Sequence, residues 1–459
     1  MNIAFVGGGS LRILPIVRSL LEQKKILADG SIRLIDLKLD RAEAVGRLIM
    51  RCPEFKGVNC KVVWTDQLGV GLDGADILYV TMEIIREPSN MLAGRLSLQH
   101  DFLFSDQLSI NGAFLAMRGG GMIMSFARAM EKYCPKAMML IFANPVSVYS
   151  GLVNLHTKIK ALGICEGFHN HKWDLPRLMG RNEHSDAIDI ISAGVNHLAF
   201  MLRGTIEGRD FRSVLDQHVL APNWKPPVIE GSPRPTEGLW IQARMYRRFR
   251  ELIFSAEGDG LGHLCWDVVK AWDAESVASQ EHFSAETVAA EKKAGIDRKF
   301  AEFAAAAKRN DDSIWQRPYT EDRLFGINRH DVLNPVAEAL LGGPKLRIAA
   351  SAPNYGAVRG FEERALLEYT MDIGQDGFSP VSDLYVPSPF YGMISAMSEF
   401  QTLQADALAT NDPKLFADAL EAYPVKHGEP GRLEYLEKMF DYYADIPAPL
   451  RKARDYLKW

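Results

Sequence analysis

The amino-acid sequence predicts an α/β protein: a doubly wound parallel sheet of the Rossmann type, with a second, mostly helical α+β domain. Three observations carry that expectation. Short apolar runs alternate with helical periodicities from the first residues to about His197, as strands joined by crossover helices do. The first run, Ile3–Val6, meets Gly7, Gly8, Gly9 and Ser10, and Leu11, Leu14, Ile16, Val17 and Leu20 then fall at helical spacing. The second run, Ile32–Ile35, ends in Asp36.

A glycine turn between strand and helix lets the backbone approach a pyrophosphate, whose charge then meets free N–H groups at the helix N-terminus. The spacing departs from a strict G-x-G-x-x-G, because Ser10, Leu11 and Arg12 follow the glycines. Such a turn can also be merely tight, and an aspartate is a common turn former. The pairing of the two features decides: a carboxylate at Asp36 would accept both ribose hydroxyls and repel a 2′-phosphate, so NAD is expected rather than NADP.

Asp40–Met50 has the next helical pattern, and Val62–Thr65 and Ala75–Val80 the next strands. Strands connected this way run parallel with right-handed crossovers, and ligands lie beyond their carboxyl ends. Glu83–Asn111 follows such an end. It carries Arg86, Glu87, Asp106, Gln107 and Asn111 with weak periodicity, and reads either as a long excursion over the site or as a solvated connection. A helix at Ala113–Lys132 and a buried strand at Ala137–Phe142 lead to Ala143-Asn144-Pro145-Val146. There the proline stops the strand and biases Asn144 to an extended conformation, aiming its amide at the crevice. A helix at Val148–Ile159 and a strand at Leu162–Ile164 end at Cys165-Glu166, and the apolar run from Asp189 ends at Asn196-His197.

Past His197 the alternation weakens. Residues 1–194 are therefore expected to form the nucleotide-binding domain and 195–459 a catalytic and oligomerisation domain. The second part would hold a proline-rich loop at Ala221–Thr236 and helices at Glu237–Phe254, Ala274–Lys308, Ser395–Ala409 and Pro413–Ala422.

With 459 residues, the chain exceeds the size at which one core stops growing, which also favours two domains. Its 47% apolar and 24% charged residues are ordinary for a globular protein, and a net charge of −5 gives no reason to expect nucleic acid or an anionic membrane as partner. No apolar run spans a bilayer, and a strand starting at residue 3 leaves no room for a signal peptide. Five scattered cysteines suit a reducing compartment, so a cytoplasmic location is expected.

Cys165 and His197 each end an apolar strand on the side where the dinucleotide should lie. A thiolate and an imidazole are good ligands for a divalent transition metal, and two protein ligands leave positions open for a substrate that chelates through vicinal hydroxyls. Their ordinary readings are a small buried hydrophobe and a hydrogen-bonded structural histidine.

Taken in order, Gly7-Gly8-Gly9-Ser10, Asp36, Ala143-Asn144-Pro145-Val146, Cys165-Glu166-Gly167-Phe168 and Gly194-Val195-Asn196-His197 resemble the signatures of glycoside hydrolase family 4. Arg247-Arg248-Phe249, the segment Glu257–His263 and Ala352-Pro353-Asn354-Tyr355-Gly356 are similar to later segments of that family. The resemblance implies an NAD- and Mn2+-dependent glycosidase acting on a small-molecule glycoside, in a homodimer or homotetramer. It implies transient oxidation of the sugar at C3, proton loss at C2, elimination of the C1 leaving group, water addition and return of the hydride, in place of the usual pair of carboxylates. Carried over residue by residue, it makes Cys165 and His197 metal ligands, and Gly7, Gly8, Gly9, Ser10 and Asp36 cofactor contacts. Asn144 becomes a substrate contact, Glu166 the acid, and Asp259 the base with Tyr246 in reserve; Arg86, Asn196 and His263 are further expected substrate contacts.

Glu166-Gly167-Phe168 departs from the His-Glu-Val, His-Ser-Val and Asp-Met-Pro triplets that track substrate class in the family. An acid there is similar to the 6-phospho-α-glucosidase pattern, which points to α-glycosides; the other reading is a carboxylate hydrogen-bonded near the metal. Arg86, Arg118, Lys172 and Arg244 are candidates to meet a C6 phosphate, carboxylate or sulfonate, and a neutral hexoside stays open beside these. Two other functions fit the residues: a plain NAD-dependent dehydrogenase of a hydroxy acid or polyol, with Cys165 structural, and a non-catalytic NAD-binding sensor.

Overall fold

The computed structural model describes residues 1–459 except 23–26, 83–88, 168–171, 173, 182–186, 226–235, 254–257, 272–284, 317–331, 426–430 and 458–459. Arg86, Glu257 and most of the proline-rich stretch at 221–236 therefore lie outside the described residues.

Six parallel strands form the first part of the fold; the central ones are apolar runs covered on both faces, whereas the third in chain order, at the sheet edge, alternates exposed and partly buried residues. They are β1 (Asn2–Val6), β2 (Gly30–Ile35), β3 (Cys60–Thr65), β4 (Ile77–Val80), β5 (Met138–Ile141) and β6 (Lys160–Gly163). Their spatial order is β3-β2-β1-β4-β5-β6. After β3 the chain crosses back over β1 to begin β4, so the order reverses between β1 and β4. In such a sheet the binding crevice opens outside the carboxyl ends at that reversal.

Beyond β6 the sheet continues antiparallel. β7 (Ile188–Val195), β8 (Leu198–Ile206), β10 (Leu252–Ile253), β11 (Leu346–Pro353) and β12 (Leu366–Gly374) extend it in the order β6-β11-β12-β7-β8-β10. β9 (Arg209–Asp210) pairs with β8, and β13 (Gly377–Pro380) with β12. The expected domain boundary at 194/195 thus falls inside β7, and one thirteen-stranded sheet runs through both parts. A single row of paired residues, Gly163–Ser351–Glu368–Gly194, links β6 to β7 through β11 and β12.

The helices expected from periodicity are present at Leu39–Arg51, Ile110–Tyr133, Val146–His156, Thr236–Phe249, Ala285–Arg309, Tyr391–Thr410 and Pro413–Ala422. Two features differ from the sequence reading. Strands β11 and β12 lie in a stretch to which periodicity assigns no element, because buried Ser351, Glu368 and Thr370 interrupt their apolar runs. Within the Glu83–Asn111 excursion, Ser89–Gln99 is helical; Leu92, Ala93, Leu96 and Leu98 do not fall on one stripe, so no period was visible. Among the described residues no helix is long and apolar enough to cross a membrane.

Candidate active site

The glycine turn is pressed onto β2. The N–H groups of Gly7 and Gly8 both donate to the Ile35 carbonyl at 3.0 Å, and Gly7 takes a left-handed φ of 81° that disfavours any side chain. A Cβ on Gly8 would lie 2.7 Å from Leu34 Cα and Ile35 N, so only glycine lets the two segments meet. Gly9 N donates to Asp36 Oδ2 at 2.9 Å and Lys38 N to Asp36 Oδ1 at 2.9 Å. The turn and the acid, distant in sequence, form one structure. Ser10 N closes the turn on the Gly7 carbonyl at 3.0 Å, ahead of the helix Ile13–Glu22.

Asn144 follows β5 and joins Pro145 through a cis peptide bond. Two adjacent residues grip its amide: Asn144 Nδ2 donates to Asp106 Oδ2 at 2.7 Å, and Gln107 Nε2 donates to Asn144 Oδ1 at 2.5 Å. Gln107 Oε1 in turn accepts Val146 N at 3.1 Å. The grip depends on a tight loop. Ser105 Oγ accepts the N–H groups of Gln107 and Leu108 at 2.9 and 3.0 Å, while Ser109, the N-cap of Ile110–Tyr133, bonds back to both Ser105 N and its carbonyl.

Cys165 Sγ and His197 Nε2 lie 3.2 Å apart. The first sits two residues beyond β6. The second is part of the two-residue turn, Asn196-His197, that joins β7 to β8, where Val195 pairs with Leu198. His197 adopts a left-handed φ of 66°. On its other side, His197 Nδ1 lies 2.7 Å from Asp259 Oδ2, which also accepts Ser105 Oγ at 3.0 Å. Asp259 Oδ1 accepts Gly260 N at 2.9 Å within the helix Gly258–Leu261. Gly167 N points at Cys165 Sγ at 3.3 Å, and half-buried Glu166 stands between them in sequence.

The structure thus brings Asn144, Cys165, His197 and Asp259 into one region, with Glu166 next to Cys165 in the chain, while Tyr246, Asn196 and Arg118 turn to partners of their own. Tyr246 faces the helix Phe211–Val219: its hydroxyl donates to Asp216 Oδ1 at 2.6 Å and to the Arg212 carbonyl at 3.2 Å, and it is 1% exposed. Burial, then Asp216, pushes its phenol above the ordinary range. The helical register, which points residue 246 at Asp216, removes it from the cluster. Asn196, 2% exposed, donates Nδ2 to Glu368 Oε2 at 2.7 Å. Arg118 bonds Asp445 at 2.9 Å and lies over the Tyr443 ring, tying the C-terminal segment to its helix. Arg244 is exposed and Lys172 half-buried.

His263 is 8% exposed, with Nε2 3.1 Å from the Leu108 carbonyl and 3.3 Å from the Tyr423 hydroxyl. It buttresses the Ser105–Leu108 loop. Burial pushes its pKa down, so between the ordinary imidazole value and the lowered native one the unfolded chain binds the extra proton. Stability is then full above the ordinary value and is lost as pH falls toward the native one, by up to about 1.4 kcal/mol per pH unit. Denaturant titrations from pH 7.5 to 5 should show that fall in the native protein and a shallower one in His263→Gln; identical slopes would remove His263 as its source.

The sequence places Asp106 and Gln107 in an excursion over the site without giving either a role, and it does not single out Ser105. Their signal was a polar triplet between the apolar Phe102-Leu103-Phe104 and Leu108, but the contacts that give it meaning are to Asn144 and Asp259, far along the chain.

A nucleotide turn, a thiol and an imidazole at the carboxyl edge of one such sheet define a dinucleotide-fold protein with a candidate metal centre. The chain matches the family 4 glycosyl hydrolases over residues 2–180 and the C-terminal domain of the same family over 192–425, and it belongs to that family. It is 24% identical over 220 residues to a 6-phospho-beta-glucosidase of Escherichia coli (strain K12), a match covering 47% of this chain and about half, 49%, of that relative. Against a maltose-6'-phosphate glucosidase of Fusobacterium mortiferum it is 21% identical over 410 residues, 88% of this chain and 89% of the other. A solved 6-phospho-alpha-glucosidase from gut microorganisms, in complex with NAD and Mn2+, shares the fold with a TM-score of 0.74 at 17% identity, over 96% of this chain and 97% of that one.

Proposed function

We propose that this family 4 enzyme hydrolyses glycosides bearing an anionic group at C6, 6-phospho-α-glucosides first among them, using NAD and a divalent cation such as Mn2+. The observation that carries the reading is the 3.2 Å approach of Cys165 Sγ to His197 Nε2 on the crevice side of a sheet whose glycine turn is locked to Asp36. The donor set fits a borderline divalent cation. The carboxylates of Glu166 and Asp259 nearby also favour positive charge. Relatives named for phosphorylated sugars support the substrate class; Glu166 supports the α preference. A cytoplasmic homodimer or homotetramer belongs to the same proposal.

When bound, NAD supplies a reversible hydride acceptor and the cation a Lewis acid for neighbouring sugar oxygens. Three of the chain's own residues act beside them. Asn144, fixed at both ends of its amide, offers its remaining N–H to a sugar hydroxyl. Glu166 carries the proton for the leaving oxygen. Asp259, whose oxygens are committed to His197, Ser105 and Gly260, orients the imidazole rather than removing the C2 proton.

The test is a panel of aryl glycosides, neutral and C6-anionic, in both anomeric forms. Aglycone release should require NAD and Mn2+ together and be fastest on the 6-phospho-α compound, without net NADH, because the cycle returns its hydride. Steady NADH accumulation with no aglycone release would favour the dehydrogenase reading instead.

A further inference from the structure

Asp106 has no task in the reaction outlined above, yet it sits among the groups that do. Its Oδ2 accepts Asn144 Nδ2 at 2.7 Å. Among the described residues no other side chain is hydrogen-bonded to its carboxylate, which also meets its own backbone N–H. Burial raises its carboxyl pKa above the usual range, the Asn144 bond and the His197 ring lower it, and the Asp259 carboxylate raises it again. The geometry gives it the same neighbours: Ser105, next to it in the chain, donates to Asp259 Oδ2 at 3.0 Å, and that oxygen lies 2.7 Å from His197 Nδ1. Among the described residues, no lysine or arginine is hydrogen-bonded to Asp106, Asp259 or Cys165. A desolvated carboxylate beside a second one keeps its charge when a cation lies nearby.

We infer that Asp106 is a positioning residue for the divalent cation: aimed by the Asn144 amide, its carboxylate acts through intervening water on the cation that Cys165 and His197 hold. Direct ligation is set aside because no group of three His, Cys, Asp or Glu side chains among the described residues could hold a metal. Outer carboxylates of this kind add negative charge and fix the hydrogen-bonding direction of the groups around a cation. The grip of Asp106 and Gln107 on Asn144 would then couple the substrate-facing amide to the metal side of the site through one loop. This inference rests on the metal role proposed for Cys165 and His197.

The experiment measures Mn2+ affinity on the full chain with saturating NAD, following the free-ion EPR signal, for the native protein, Asp106→Asn, Asp106→Glu and Cys165→Ser, with NAD affinity measured in parallel. Asparagine at 106 keeps an acceptor for Asn144 Nδ2 and loses the charge. Asp106→Asn should weaken Mn2+ binding by about ten- to a hundredfold and leave NAD affinity unchanged, while Asp106→Glu recovers part of the loss. Native Mn2+ affinity in Asp106→Asn, with Cys165→Ser impaired, would overturn the inference, as would loss of NAD binding in Asp106→Asn. Native Mn2+ affinity in Cys165→Ser would instead remove the metal centre itself.

Discussion

Replacing Cys165 with serine, or His197 with alanine, is expected to cut glycoside turnover by about three orders of magnitude while NAD binds as before. A cation that stabilises developing charge contributes several kcal/mol, and each 1.4 kcal/mol is about tenfold in rate. The two side chains lie 3.2 Å apart but belong to different parts of the sheet, so each loss removes one donor without disturbing the glycine turn, which is held by β2 and Asp36. A chelator should reproduce the defect in the native enzyme, with Mn2+ restoring activity there and not in the variants. Full hydrolysis after exhaustive chelation, or loss of NAD binding in both variants, would defeat the assignment.

The second large effect is expected at Asp259. With its Oδ2 2.7 Å from His197 Nδ1, the carboxylate holds the imidazole proton on Nδ1 and leaves the Nε2 lone pair facing Cys165. Asp259→Asn offers an amide that can donate to Nδ1, so the proton moves to Nε2 and the lone pair is lost to the cation. Mn2+ affinity should fall by about ten- to a hundredfold, and kcat with it at limiting metal. Ser105→Ala, which removes one donor to the same oxygen, should have a smaller effect in the same direction. If Asp259→Asn binds Mn2+ normally but loses turnover at saturating metal, Asp259 is the base after all.

The parallel half of the fold was legible because its physics is local: each strand is an apolar run, each helix has a period, and proline and glycine mark the ends. The glycine turn, Asp36, Asn144, Cys165 and His197 were legible for the same reason, since all lie at strand ends that periodicity defines. β11 and β12 were not, because they bury Ser351, Glu368 and Thr370 in rows completed by distant strands. Tyr246 and His263 carry polar groups that any sequence reading can assign to a cleft; only packing shows one held by Asp216 and the other by Leu108 and Tyr423. The Asp106–Gln107 grip on Asn144 is a tertiary contact with no local pattern.

The row Gly163–Ser351–Glu368–Gly194 sets when the site can exist. Cys165 and His197 are close in the chain, but the strands that precede them are three strand spacings apart, roughly 14 Å at the usual separation. The two strands between come from Leu346–Pro353 and Leu366–Gly374. During vectorial synthesis the nucleotide half can close early, whereas the sulfur and the imidazole have no framework to hold them in register until the last quarter of the polypeptide has emerged and threaded into the gap. A chain that stops before Leu346 would therefore lack the two strands that bring the sulfur and the imidazole together.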